Sequence, residues 1–501
     1  MARRPVKRVV IAGGGTAGWC VAAMLAKAVG PLVQITLVES DDIGTVGVGE
    51  STIPTARRFH DLLGIDEREF VRATQASFKL GISFENWTRE GESYFHSFGT
   101  VGRGTWAADF QHMWLEARAF GVAGDIAEYS LETQAALAMK FAAGGDAKGG
   151  PVLNYAYHLD ATAYGQFLRR FAQPLGVERI EGKIRSVRLD AESGDIAALD
   201  MEDGASVEGD LFIDCTGFRG LLIEQALHTG YEDWTHWLGT DRALAVQTEA
   251  SGPARPYTRA MAHRAGWQWQ IPLQHRVGNG LVYASSHLSD DEALAMLKGR
   301  LDGPMLTDPR LIRYVSGTRR KSWNRNCVAI GLSSGFVEPL ESTSIHLIMI
   351  AVTRLAQLFP FDGVNDALRD RYNDLSRREL EAIRDFIVLH YHLNNRQGES
   401  FWDACRTMDI PESLAARIAL FRDSATAYQA NDELFRVDSW VQVMLGQGLM
   451  PQGRHGLGRM IGKERLAASL AGLADGINNH VARLPEHQQF LDRYCSVPVA
   501  A

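Results

Sequence analysis

A chain of 501 residues, 46% hydrophobic and 22% charged, has the composition of a globular protein large enough for roughly two to three lobes. Against 60 aspartates and glutamates stand 52 lysines and arginines, a net charge of −8 with no basic run, so no nucleic-acid partner is expected. No window offers ~20 uninterrupted apolar residues, so no membrane span is expected, and the scattered cysteines Cys20, Cys215, Cys327, Cys405 and Cys495 lack any CxxC spacing for a disulfide framework or zinc.

That cysteine usage fits a reducing cytoplasm, and the opening Met1-Ala2-Arg3-Arg4 reads as mature protein because glycines interrupt the apolar run that follows. Arg8 to Ala12 reads as a buried strand running into Gly13-Gly14-Gly15-Thr16-Ala17-Gly18, with a helix from Trp19 to about Val29 and a second strand, Gln34 to Val38, delivering Glu39. Gly13, Gly15 and Gly18 have the spacing that lets backbone N–H groups approach a pyrophosphate at a helix N-terminus, and Glu39 stands where a carboxylate accepts ribose hydroxyls. This predicts a dinucleotide site. Gly44 to Pro54 is a second glycine-rich loop, suited to lying against a flat ring.

Phe70, Thr74 and Phe78, spaced by four, predict a helical face over 66–78, followed by Lys79. Lys79 is then either a solvated helix end or, among Phe78, Leu80, Ile82 and Trp87, a buried amine with a lowered pKa and chemical use. Tyr94, Phe95, His96 and Phe98 form a cluster that is core or the wall of an aromatic pocket. Residues 104–150 read as helices with a polar break at 144–150, and Ala161 to Ala172 as another helix. Short strands over 180–211 form an antiparallel meander leading to Leu211 to Gly217, where Cys215 reads as small and buried. A separate sheet spans 243–286. In it Trp267, Trp269 and Ile271 share one face, as core or as a wall between compartments, and Gly278-Asn279-Gly280 is expected to be a hairpin turn.

Gly335 to Ile345 holds the most chemistry. Pro339 bars helix before it, Ser342, Thr343 and Ser344 are good N-caps, and Ile345, Ile348, Met349, Val352, Leu355 and Phe359 follow at helical spacing. A helix start with its unpaired N–H groups could hold an anion beside Glu341; the plainer alternative is an acidic cap on a core helix. The last ~140 residues read as mostly helical.

GGGTAGW at 13–19, VGVGESTIP at 46–54, SFKLGISFENW around Lys79, WQWQIP at 267–272 and GFVEPLESTSI at 335–345 together resemble the flavin-dependent halogenases of the tryptophan-halogenase type, over nearly the whole chain. The resemblance implies an α/β fold: a FAD-binding Rossmann-like module over 1–360 with a β-sheet insertion at about 243–290, and a mostly helical substrate-pocket subdomain over 361–501. It implies FAD at Gly13, Gly15, Thr16, Ala17, Gly18, Glu39, Gly49, Glu50, Ile184, Asp214, Leu332 and Ile345, and a halide at the backbone of Thr343 and Ser344, the latter a glycine in many relatives. It implies further that a flavin hydroperoxide oxidises halide to hypohalous acid, that Trp267 and Trp269 keep the arene from the flavin, that Lys79 makes the halogen electrophilic, and that Glu341 removes the ring proton. His96 and Phe98 match its aromatic-pocket positions. Residues 428–440 lack the paired tyrosine and the Phe-Trp pair that hold free tryptophan in some members, which points to indole or an indole derivative.

With one dinucleotide loop and no second for NADH, a separate flavin reductase is expected to supply FADH2, and family members are often dimers. Two alternatives share the glycine loops: an aromatic-ring FAD monooxygenase, which has no use for Lys79 or a tryptophan wall, and a non-catalytic flavin-binding protein.

Overall fold

The computed structural model describes residues 4–44, 49–144 and 152–494. They cluster into two compact units that interleave along the chain. One takes the described residues of Met1–Ala76, Leu159–Leu238 and Arg313–Glu381, the other those of Ser77–His158, Gly239–Ile312 and Ala382–Ala501.

The first unit is built on a six-stranded sheet in the order Trp323–Asn324, Cys327–Ala329, Leu211–Asp214, Arg8–Ala12, Gln34–Glu39, Glu178–Glu181. The last five run parallel. All but the edge strand Glu178–Glu181 are near-continuous apolar runs, because helices cover parallel sheets on their faces. The helix Thr16–Val29 packs against Ala161–Ala172 and Ser344–Gln357. Ile184–Leu189, Ile196–Met201 and Ser206–Glu208 form the expected antiparallel meander, whose Leu199, Met201 and Val207 share a core with Val10, Val38 and Phe212.

The second unit carries a seven-stranded sheet in the order Arg310–Arg313, Arg242–Glu249, Arg276–Tyr283, Gly266–Pro272, Thr258–His263, Gly81–Glu85, Ser93–Ser97. Only Thr258–His263 and Gly81–Glu85 pair parallel among the registers described. From Ser344 on the described chain is mostly helical, and the helix Asp366–His392 passes from the first unit into the second.

Two local expectations are corrected. Gly278-Asn279-Gly280 is not a turn but lies inside Arg276–Tyr283, with Trp269 opposite Gly280 and the chain reversing at 273–275. A Cβ on Gly280 would stand 1.9 Å from the Trp269 ring, so this glycine answers to packing. The helix expected over 66–78 is Glu67–Thr74; Gln75 ends it in the left-handed region (φ 52°), and Phe78 lies in the strand Ser77–Lys79. Over 104–150 the helices are Phe110–Ala119 and Leu131–Leu137 with a 3-10 turn at Ile126–Tyr129, and most of the predicted polar break lies outside the described residues. Among the described residues no helix is long and apolar enough to cross a membrane.

Burial makes the fold sensitive to acid. It pushes the imidazoles of His60 and His263 down to about 3 and that of His487 to about 4. Between those values and the unfolded value of about 6.5 the unfolded chain binds protons the folded chain refuses, so this stability is present above about pH 6.5 and is lost as pH falls. The shift at His487 alone corresponds to roughly 3 kcal/mol. Glu50, raised by burial to about 7, acts in the opposite direction, but three histidines outweigh one carboxyl. The urea midpoint is expected to fall steadily from pH 7 to pH 5; a constant or rising midpoint would contradict this assignment.

Candidate functional site

The parallel strands of the first unit end in a cradle made of backbone. Gly13 has φ +102°, and a Cβ there would stand 2.4 Å from the Cys215 carbonyl oxygen. A Cβ on Gly18 would stand 1.9 Å from the Gly13 carbonyl oxygen. Gly15 caps Thr16–Val29 in extended conformation with no side-chain bond, which leaves first-turn N–H groups for a ligand. Thr16 Oγ1 donates to the Ala161 carbonyl at 3.1 Å, and Ala17 packs under Gly331, whose Cβ would come within 3.0 Å of the alanine's.

Glu39, at the end of its strand, accepts from Arg179 Nε at 2.6 Å and from Trp19 Nε1 at 3.4 Å, and a Cβ on Gly14 would overlap its carboxylate at 1.6 Å. The carboxylate therefore lies over the glycine turn, as a ribose acceptor should. Asp214 is spent on the protein: it accepts from the Thr216, Leu222 and Ile223 N–H groups and the Thr216 hydroxyl. It shapes the backbone after its strand, and burial pushes the neighbouring Cys215 thiol well up, in keeping with an inert cysteine.

Of the other residues expected at a cofactor, Leu332 lies in the turn Gly331–Ser333 against Ala17, and Ile345 is buried in the helix that packs on Thr16–Val29. Ile184 sits at the start of the meander, against the sheet core. Gly49 and Glu50 open the short strand Gly49–Ser51; the rest of that loop, 45–48, lies outside the described residues. The cradle fits a dinucleotide: positions where a side chain would collide with backbone are glycine, and the acidic strand end stands beside them.

A second feature of this unit is the turn into the helix Ser344–Gln357. Pro339–Glu341 is one 3-10 turn, Ser342 takes the left-handed region (φ 59°), and Thr343 is the N-cap. The expected side-chain cap is absent: Thr343 has helical dihedrals and its hydroxyl makes no cap bond. Fully buried, that hydroxyl has no hydrogen-bond partner among the described residues. Leaving such a group unsatisfied costs about 1–3 kcal/mol, so its presence at a helix N-terminus, two residues after the buried Glu341, points to an anion that it serves.

The helix is braced from below. His346 in its first turn bonds Thr55 Oγ1 at 2.9 Å and Glu379 at 3.2 Å, and Glu379 also takes Arg354 at 2.8 Å. Burial pushes the Glu379 carboxyl up, but its contacts with His346 and Arg354 outweigh that and hold it below its ordinary value.

In the second unit Lys79 is completely buried at the end of Ser77–Lys79, its Nζ 5.0 Å from the centre of the Phe98 ring. His96 is buried among Phe386 at 5.6 Å and Phe435 at 6.3 Å, and those two phenyl rings stack 3.7 Å apart. Trp267 and Trp269 lie 6.0 Å apart; Trp267 also meets Trp87, while the buried Nε1 of Trp269 has no partner among the described residues. Arg417 lies between the rings of Tyr428 and Trp440, 4.0 Å from each, and bonds Glu433 at 2.6 Å. Phe386 and Arg417 are absent from the sequence reading because no motif marks them, and Phe435 enters it only as part of 428–440.

Comparison with known proteins gives one answer. The family model described as tryptophan halogenase matches residues 8–463. A flavin-dependent halogenase from Xanthomonas campestris, Xcc4156, superimposes with a TM-score of 0.97 at 52% identity, covering 99% of this chain and 100% of that one. BrvH, a flavin-dependent halogenase from Brevundimonas sp. BAL3, has a TM-score of 0.94 at 46% identity, covering 98% and 99%. Tryptophan 6-halogenase SttH of Streptomyces toxytricini is 37% identical over 83% of this chain and 84% of its own.

Proposed function

The chain belongs to the tryptophan halogenase family, and we propose that it brominates or chlorinates an electron-rich aromatic ring, with indole or an indole derivative as substrate. Flavin-dependent halogenases use FADH2 from a separate reductase, O2 and halide. When bound, the reduced flavin with O2 supplies the oxidising power that turns halide into hypohalous acid. Gly13, Gly15, Thr16, Ala17, Gly18 and Glu39 would hold its nucleotide half, with Gly49, Glu50, Ile184, Asp214, Leu332 and Ile345 contributing.

The unpartnered, buried Thr343 hydroxyl at the start of its helix is the observation that carries the halide assignment. It and the N–H of Ser344 would donate to the anion, favoured by the helix dipole. Lys79, buried, would donate an N–H hydrogen bond to hypohalous acid and so draw electron density from the halogen. Glu341, buried at the turn that opens the helix, would stabilise the cationic ring and remove its proton as general base. Trp267 and Trp269 would keep the arene from the oxidant's source, and His96 and Phe98 would receive the ring.

The indole preference is supported by how residues 428–436 are engaged. Glu433 is taken up by Arg417 and the Ala430 N–H, and the Tyr428 ring covers the same arginine. These groups serve their own loop, which removes the obvious acceptor for an amino acid's ammonium. We expect kcat/KM for indole to exceed that for free L-tryptophan by at least about tenfold, a difference of ~1.4 kcal/mol. Steady-state rates with both substrates test this; regiospecific conversion of tryptophan faster than of indole would sink it.

A further inference from the structure

Two buried histidines close on the short strand that ends in Lys79. Ser77, Phe78 and Lys79 pair with His158, Tyr157 and Ala156, and His158 and His487 are both almost wholly inaccessible. Their hydrogen bonds assign their protons. Ser77 Oγ lies 2.5 Å from the Pro272 carbonyl, which can only accept, so the serine proton goes there. His158 Nδ1, 3.1 Å from the same Oγ, must therefore carry a proton and donate it, and its Nε2 pairs with Thr258 Oγ1 at 2.9 Å. On the other side the Phe78 N–H donates to His487 Nε2 at 3.2 Å, and His487 Nδ1 donates to the Ala254 carbonyl at 2.7 Å.

His487 is thus neutral on geometry alone, whereas the Nε2 of His158 meets a hydroxyl that can give or take a proton. Burial favours the neutral ring in both, pushing His158 well down, with the charge of Lys79 and the His487 ring adding to it, and His487 to about 4. The relay has a second end of interest: Pro272 closes the strand that carries Trp267 and Trp269. Thr258 opens the next strand of the same sheet.

We propose that His158 and His487 are positioning residues for Lys79: through Ser77 and the Phe78 N–H they fix the lysine strand in register with the end of the tryptophan strand. This rests on the reading of Lys79 as the group that handles hypohalous acid. A lysine displaced by about an ångström lets the oxidised halogen escape unspent, and displacements of that size cost up to roughly 100-fold.

The test separates making hypohalous acid from using it. With FAD, a reductase, NADH, bromide, catalase and indole, brominated indole is measured beside hypobromous acid caught by monochlorodimedone. His158→Phe and Thr258→Val are expected to lower the ratio of brominated indole to trapped hypobromous acid by about 10–100-fold. His487→Phe is expected to lower it likewise, whereas His487→Gln, which keeps an acceptor and a donor, restores most of it. The FAD dissociation constant, from flavin fluorescence, should stay within about twofold throughout, because these residues lie outside the unit that carries the cradle. Circular dichroism melts identify variants that fold, and Thr258→Val, the mildest change in shape, keeps the test open where His158→Phe does not fold. An unchanged ratio in folded His158 and Thr258 variants, alongside a collapsed ratio in Lys79→Met, overturns this inference and leaves the role of Lys79 standing. An unchanged ratio in Lys79→Met overturns both.

Discussion

Lys79→Met and Glu341→Gln should each lower halogenated product by about 10²–10⁴-fold while oxidation of FADH2 continues at its usual rate. Both side chains are buried, at 0% and 1% exposure, and both replacements keep shape while removing the charge. The effects should differ in kind. On the proposed roles, loss of Lys79 would leave hypohalous acid made but without a donor to polarise it, so it would leak, whereas loss of the Glu341 carboxylate would leave the attacked ring unable to lose its proton. On the same roles, the double variant should lose little more than the worse single variant, the non-additivity expected of groups that work as a unit. Product and flavin turnover measured together check this. Either variant retaining more than about a tenth of normal product would remove that residue from the mechanism.

Gly18→Ala should abolish FAD binding. An alanine Cβ would stand 1.9 Å from the Gly13 carbonyl oxygen, and since that neighbour is backbone, relief requires moving the turn itself. Gly13 cannot readily yield, because its φ of +102° is unsuited to other residues and its own space is closed by the Cys215 carbonyl. We expect the FAD dissociation constant to rise at least ~100-fold, by analogy with other losses of close backbone approach to a pyrophosphate. Fluorescence titration of FAD gives the constant, and far-ultraviolet circular dichroism shows whether the fold survives. Gly472→Ala, on the exposed face of the helix Lys463–Arg483 and meeting nothing within 4 Å among the described residues, is the control for a glycine that is not part of the cradle. Ordinary FAD affinity in Gly18→Ala would mean that the cradle is not the nucleotide site.

The cradle was legible because its parts are adjacent in sequence: strand, glycine turn, helix and acidic strand end follow one another from Arg8 to Glu39. The tryptophan strand was legible by its alternation, and all seven residues of Gly266–Pro272 are buried. Where reading failed, a residue had a reason other than its usual one. Gly280 looked like half of a turn, but its missing side chain makes room for Trp269. Phe78 continued a spacing of four, but Gln75 had already ended the helix. Thr343 looked like a helix cap, but its hydroxyl is withheld from capping.

The histidines around Lys79 were out of reach for another reason. His487 lies 409 residues from the N–H it accepts, and His158 lies 81 from its serine; no local pattern encodes such pairs. The two compact units interleave in the same way, with segments of each separated by segments of the other, so a reading in chain order does not mark their borders.

The most direct test of the central claim is one incubation: the protein with FAD, a flavin reductase, NADH, O2, bromide, catalase and indole, followed by mass spectrometry. A halogenase gives an indole product showing the paired lines of bromine's two isotopes, absent when bromide is omitted and absent in Lys79→Met. An oxygenated indole formed equally well without halide would contradict that claim and make the protein an aromatic monooxygenase.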